Sequence, residues 1–337
     1  MPREPHPSAP SIRDVAEHAG VSPATVSRVL NGTARVAPAK ADRVHRAVDE
    51  LGFRPSSVAR ALSLGRTGTI GVIAPFFTHL GTFGRLRGIT DRAASDDYEL
   101  MIFDVQTPKQ RDDALLKLAR RDRVDAVLVI SVPLTDDDVA RLRRDALPVV
   151  LVDVAHPAVS RVTIDDVGGG RLATEHLLAA GHTRIGFVGD EARNPLGFTS
   201  SDPRLDGYRE ALTAAGIAVD ERLIRRGTHG RASARELSAG LLALPEPPTA
   251  IFAASDLQAI GVLEAASAAG FDVPGALAVI GFDDVDFAEI LGLTTVRQPL
   301  AEIGQDAIDL LMAEIRDGDR DPVEIVHPLT LIQRRTT

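Results

Sequence analysis

Residues 11–30 read Ser-Ile-Arg-Asp-Val-Ala-Glu-His-Ala-Gly-Val-Ser-Pro-Ala-Thr-Val-Ser-Arg-Val-Leu, and their caps and apolar positions predict two short helices joined by a tight turn. Ser11 precedes the first helix as an acceptor for an orphan backbone N–H, and Asp14 stands in the first turn, where the helix dipole favours an anion. Gly20 ends that helix and supplies the left-handed turn. Ser22 then caps a second helix whose first position is Pro23, where a missing N–H costs nothing. Ala16 is the small residue at the crossing, Val26 the apolar plug, and Val15, Val29 and Leu30 complete a small core. The outer face keeps Ala24, Thr25, Ser27 and Arg28, groups that let a helix approach a groove closely. Arg28 suits the N7 and O6 of guanine, Thr25 and Ser27 suit phosphates, and Pro23 or Ala24 suits a thymine methyl. Two ordinary packed helices are the alternative that this spacing leaves open.

Working outward, 39–51 and 56–64 are also helical in pattern and no strand interrupts them, so the first 65 residues form an all-helical head. The segment 56–64 is too short to hold a helix alone in water and is expected to fold only against a partner. Gly65-Arg66-Thr67-Gly68 marks the boundary. From residue 69 the pattern changes to short β-branched runs alternating with longer helical stretches. Strands are expected at 69–74, 98–104, 125–130, 149–152, 184–189, 250–253 and 277–282, with helices near 83–94, 108–121, 136–144, 168–180, 204–215, 232–243, 256–269 and 300–316. Continuous apolar runs of this kind belong to parallel strands buried on both faces, and there are too many βα units for one sheet. Two open α/β lobes are expected, with ligand at the carboxyl ends of the strands.

Composition narrows the classes. At 337 residues the chain has room for two or more domains. It has no cysteine, so disulfide frameworks, thiolate metal cages and cysteine nucleophiles are excluded. No stretch approaches the roughly 18 apolar residues of a membrane span, and the Pro-rich first ten residues, expected to be a disordered tail, lack the apolar run of a signal peptide. A cytoplasmic protein without membrane attachment is expected. Residues 1–65 carry nine Lys and Arg against six acids, leaving 29 basic and 41 acidic residues for the rest. A mildly basic head therefore precedes a strongly acidic body.

The run 12–16 followed by 19–32, continuing through Leu51-Gly52-Phe53-Arg54-Pro55, Ala59-Arg60-Ala61-Leu62 and 65–73, resembles the lactose-repressor-type (LacI/GalR) transcription regulators. The resemblance extends nearly to the C-terminus and leaves out only the first ten residues. It implies a multidomain chain: a helix-turn-helix head over 11–55, a hinge helix and linker over 56–68, and a two-lobed periplasmic-binding-protein-like (type I) effector and dimerisation domain over 69–337. The first lobe is expected at about 69–161 and 295–325, the second at about 162–292 and 326–337. For DNA contact the resemblance points to Ser11, Ser22, Pro23, Ala24, Thr25, Ser27, Arg28 and Asn31 in the head, and to Ser56, Ala59 and Leu62 in the hinge. Leu62 matches a minor-groove wedge that bends the duplex beside its dimer mate, whereas Ser56 stands where the family often has Asn.

In the body, Val162-Thr163-Ile164-Asp165-Asp166 and Ala173-Thr174-Glu175-His176-Leu177 match the start of the second lobe. Arg204, before Gly207-Tyr208, matches an effector-binding arginine whose planar fork suits a diol or carboxylate; the other reading is a surface ion pair with Asp206 or Glu210. Ser255 replaces a familiar Asn, and in Ile280-Gly281-Phe282-Asp283-Asp284 the resemblance makes Asp283 the acceptor of effector hydroxyls and Asp284 structural. Ser131 and Asp153 are the first-lobe polar candidates. The chain departs from the family after the first strand, where Pro75-Phe76-Phe77-Thr78-His79-Leu80-Gly81-Thr82-Phe83 stands in place of Asn-Pro-Phe-Phe. Phe76 or Phe77 either stacks on an effector ring or packs in the core, and Phe198, in the loop 194–201, is a candidate lid. Asp136-Asp137-Asp138 after Thr135 reads as a capped first turn.

A dinucleotide fingerprint, a Walker loop and a Gly-x-Ser-x-Gly elbow are all absent, which disfavours an α/β enzyme. A sugar-binding protein that does not touch DNA is the other rival. The expected function is a homodimeric repressor that binds double-stranded operator DNA under the control of a small molecule, most plainly a sugar, with no cofactor and no metal.

Overall fold

A computed structural model of the chain describes residues 10–31, 34–54, 66–75, 80–120, 122–192, 194–197, 200–318 and 320–337. It separates into two compact units, residues 1–68 with 121–125, and residues 69–120 with 126–337.

The smaller unit holds α1 (Ile12–Ala19), α2 (Pro23–Asn31) and α3 (Pro38–Leu51). Ser11 and Asp14 form a reciprocal capping box at the start of α1, which satisfies donors that a helix start otherwise leaves open. Gly20 takes the left-handed conformation at φ 62°, ψ 44°, and the Val21 amide closes the turn on the Ala16 carbonyl at 3.0 Å. The Thr25 amide donates to the Ser22 hydroxyl at 3.2 Å, so Ser22 caps α2. Val15, Ala16, Ala19, Val26, Val44 and Ala47 are buried together, and Val29, Leu30 and Phe53 pack against them. The third helix thus completes the core that the first two begin.

Among its described residues the larger unit has two six-stranded sheets. The first has the order β11-β5-β4-β3-β1-β2 and the second β12-β10-β9-β8-β6-β7. The strands are β1 (Thr69–Pro75), β2 (Glu99–Val105), β3 (Ala126–Ile130), β4 (Val149–Val152), β5 (Ser160–Ile164), β6 (Ile185–Asp190), β7 (Ile224–Gly227), β8 (Ala250–Ala253), β9 (Ala278–Asp283), β10 (Thr294–Arg297), β11 (Glu324–His327) and β12 (Thr330–Ile332). Every pairing is parallel except that of β12 with β10. The helices between them are α4 (Leu80–Ala94), α5 (Pro108–Leu118), α6 (Asp136–Arg144), α7 (Asp166–Ala179), α8 (Ser201–Ala214), α9 (Arg231–Leu242), α10 (Asp256–Ala269), α11 (Asp286–Leu291) and α12 (Leu300–Asp317). Thr135 and Asp138 make a capping box on α6, as its Asp run suggests. None of the helices among the described residues is long and apolar enough to cross a membrane.

The chain passes between sheets after β5, after β10 and after β11. The expected lobe boundaries fall elsewhere: 161/162 lies inside β5, the gap 292–295 overlaps the start of β10, and 325/326 divides β11. The ladders place β5 and β11 in the first sheet and β10 in the second. The strand β5 alternates buried Ser160, Val162 and Ile164 with half-buried Arg161 and Thr163, so it lacks the continuous apolar run that identifies a central strand.

Candidate functional site

On the smaller unit, Ser22, Pro23, Ala24 and Arg28 are exposed, and Thr25, Ser27 and Asn31 are half-buried along the same helix α2. The Ser22 and Thr25 hydroxyls lie 2.9 Å apart, and Asn31 donates to the Ser27 hydroxyl at 3.2 Å. Ser11 is exposed, but its hydroxyl is engaged with Asp14, accepting from the amide and donating to Oδ2 at 2.8 Å. Its side chain is therefore committed to the cap. Ser56, Ala59 and Leu62 lie outside the described residues.

On the larger unit, an open cleft lies at the carboxyl ends of strands from both sheets, where ligands of open α/β folds bind. Ser131, Asp153, Arg204, Ser255 and Asp283, named from sequence, all line it. Each except Arg204 is the last residue of a strand or follows one closely. Arg204 comes from the first turn of α8. Two features of that helix aim it. The Tyr208 hydroxyl, one turn on, donates to the buried Ile185 carbonyl at 2.7 Å and fixes the rotation of the helix. A Cβ on Gly207 would sit 2.0 Å from the Val167 carbonyl, and one on Gly170 would sit 2.1 Å from the Arg204 carbonyl; only paired glycines let α7 and α8 approach so closely.

Arg204 is 5% exposed and does not pair with Asp206 or Glu210. Its Nε donates to Asp166 at 2.8 Å and its Nη1 to the Ala254 carbonyl at 2.6 Å. Asp283 stands 3.8 Å from Nη1, and the guanidinium lies 3.7 Å from the centroid of the Phe282 ring, a stacked and stabilising placement. Burial pushes the Asp166 and Asp283 carboxyls above their usual range, against the pull of Arg204. Burial alone would lower the Arg204 value, but Asp166 and Asp283 outweigh it and carry it up.

Two hydrogen-bonded chains organise the walls. On the first, the Ser131 hydroxyl donates to Asp153 at 2.8 Å, Arg85 donates to Asp153 at 3.0 Å and to Gln298 at 2.8 Å, and Gln298 donates to Asp283 at 2.6 Å. On the second, Ser255 caps α10 and donates to the side-chain Oε1 of Gln258 at 3.1 Å, Gln258 Nε2 donates to Asp190 at 2.9 Å, and His229 meets the same Asp190 oxygen at 3.0 Å. Asp284 is held by Arg297 at 2.6 Å and Arg334 at 2.7 Å, facing away from these chains. Behind the cleft, burial together with the charge of Asp283 pushes Asp256 well above the ordinary carboxylate range, while Thr295 and the Val285 amide hydrogen-bond to it.

Sequence reasoning did not find Arg85, Asp166, Asp190, His229 or Gln298. Asp190 ends β6 in the same way that Asp283 ends β9, so the rule that polar residues at strand carboxyl ends face ligand would have found it. Phe76, Phe77 and Phe198 lie outside the described residues. Phe83 is 61% exposed.

Comparison with known proteins places both units. The family described as bacterial regulatory proteins, lacI family, matches residues 11–56, and the periplasmic binding protein-like domain matches residues 174–337. The HTH-type transcriptional repressor PurR of Vibrio atlanticus (strain LGP32) is 32% identical over 332 residues, spanning 97% of this chain and 98% of its own length. The chain belongs to the LacI family. Among solved structures, the LacI-family fold is matched by a transcriptional regulator CelR–cellobiose complex at 32% identity and TM-score 0.73, covering 97% of this chain and 100% of that one. The Lac repressor dimer bound to operator and the anti-inducer ONPF is 26% identical with TM-score 0.85, covering 98% and 99%.

Proposed function

We propose that this LacI-family protein is a homodimeric transcriptional repressor that binds double-stranded operator DNA and whose affinity for it is set by a small polar molecule, a sugar, held in the cleft. The observation that carries this is the occurrence, on one chain, of a capped helix-turn-helix presenting Pro23, Ala24 and Arg28 and a two-lobed cleft lined by Ser131, Asp153, Arg204, Ser255 and Asp283. In that reading Arg28 reads base edges, Ser22, Thr25, Ser27 and Asn31 contact the backbone or flanking bases, and Ser56, Ala59 and Leu62 add the hinge contacts. In the same reading Phe76 or Phe77 is the residue that stacks on the bound ring and Phe198 its lid. The protein is read as a sensor and not an enzyme, because the hydroxyl of Ser131 and the imidazole of His229 are held on different carboxylates, Asp153 and Asp190, and the guanidiniums of Arg85 and Arg204 are each tied to a carboxylate. It works in the bacterial cytoplasm, on the nucleoid.

The test is a gel shift with the purified chain against promoter fragments from beside its own gene. One fragment is expected to be retarded at a salt concentration where random DNA is not, with two protomers per site. Equal retardation of all fragments would overturn the proposal.

A further inference from the structure

Among the described residues the cleft holds two guanidiniums, of which Arg204 was named from sequence and Arg85 was not. Arg85 comes from the second turn of α4, at a position of the stripe that otherwise buries Leu86, Ile89 and Ala93, and is 6% exposed. Gly81 and Thr82, one turn earlier, leave the room it occupies: a Cβ on Gly81 would stand 3.5 Å from Arg85 Nη1 and 3.6 Å from Asp283 Oδ2. Three donors of Arg85 are engaged. Nη2 meets both oxygens of Asp153, at 3.0 and 2.9 Å, and Gln298 Oε1 at 2.8 Å; Nη1 donates to the Gly81 carbonyl at 3.2 Å. The buried Nε–H has no hydrogen-bond partner among the described residues. Gln298, its orientation set by accepting from Arg85, gives its amide proton to Asp283 Oδ1.

Among the described residues that line the cleft, the guanidiniums of Arg85 and Arg204 face four carboxylates, Asp153, Asp166, Asp190 and Asp283, with His229 set against Asp190. An anionic ligand would find both of the described guanidiniums already paired and would meet carboxylates instead. A ligand hydroxyl, in contrast, can donate to an Asp283 oxygen and offers an acceptor to the buried, unpartnered Arg85 Nε–H.

We propose that Arg85, held by Asp153 and Gln298, is an effector-binding residue that sets the cleft to take an uncharged polyhydroxylated molecule and to reject its phosphorylated and carboxylated forms. This rests on the reading of the cleft as an effector site. Arg85 acts as a neutralised donor, and Asp153 determines that neutrality.

The experiment is calorimetric titration of the full-length protein with neutral pentoses, hexoses and disaccharides, followed by the 6-phosphate and the uronate of whichever hexose unit binds. A neutral sugar is expected to bind, with both anionic forms about 100-fold weaker, the scale of like charges brought together in a partly desolvated site. Asp153→Asn leaves the charge of Arg85 uncompensated and is expected to shrink the preference for neutral sugar over uronate by about 10-fold, and Arg85→Met added to it should restore the preference. That charge-dependent reversal is something a purely structural Arg85 would not produce. An anionic form binding as tightly as the neutral one, the absence of any neutral binder, or an unchanged ratio in Asp153→Asn would overturn the inference; should the variants fail to fold, the wild-type ratios decide. Operator retardation by the same wild-type preparation separates the two claims. Its loss sinks the regulator reading, whereas its presence beside an anion-preferring cleft sinks this inference alone.

Discussion

Arg204 and Arg85 show what single residues disclose and what they hide. Arg204 could be named because the motif around it resembles a family site, and it is indeed buried beside Asp166 and Asp283. Arg85 could not, because an arginine within a helix is ordinarily on the surface and only its partners make it a buried residue. Those partners, Asp153 and Gln298, lie 68 and 213 positions away. His229 is hidden for the same reason and carries a pH signature. Burial acts to lower its value, but the hydrogen bond it donates to Asp190 and the charges of Asp190 and Asp283 prevail, and the net shift is upward from 6.5. The folded protein therefore keeps this proton to higher pH than the unfolded chain. The stabilisation is full below 6.5 and is lost as pH rises through the raised folded value. Replacing His229 by Gln should open a gap in melting temperature that is widest below pH 6.5 and closes as pH rises through the raised folded value. A gap that is flat, or that widens as pH rises, would contradict this assignment.

The central strands of both sheets could be read from sequence because each is a continuous apolar run buried on both faces, as Ala126–Ile130 and Ala250–Ala253 are throughout. The missed elements are those at edges or with mixed faces. Strand β7 ends in Arg225, Arg226 and Gly227, β11 alternates exposed with half-buried residues, and α11 is only six residues long. Edge strands are short and polar because their outer ladder is unpaired, so they lack the pattern used to find strands. The helix pair α7 and α8 sits between these extremes: both helices are plain in the sequence, while their crossing depends on Gly170 and Gly207. Gly207→Val would drive a side chain into the Val167 backbone and should cost roughly 1–3 kcal/mol as overpacking. Because the same crossing holds Arg204 against Asp166, ligand affinity should fall with it. Chemical denaturation and ligand titration of the variant check both, and a variant with unchanged stability would mean that the helices separate freely.

Taken whole, the molecule combines a basic helical head with an acidic two-lobed body, and this division was visible in the charge and periodicity of the chain before any coordinates. What was not visible is where the chain changes sheets, since the crossings follow β5, β10 and β11 and depend on pairings that only tertiary structure decides. The proposed function joins the two units by linkage: a ligand that changes operator affinity must have its own affinity changed by operator by the same factor. Allosteric couplings of this kind are typically about 5- to 150-fold. The most direct test is to titrate the cleft ligand into the purified protein with and without saturating operator, and to titrate operator with and without saturating ligand. Two ratios that are equal and differ from one are expected. A ligand affinity indifferent to operator, in a protein that binds both, would contradict the proposed linkage.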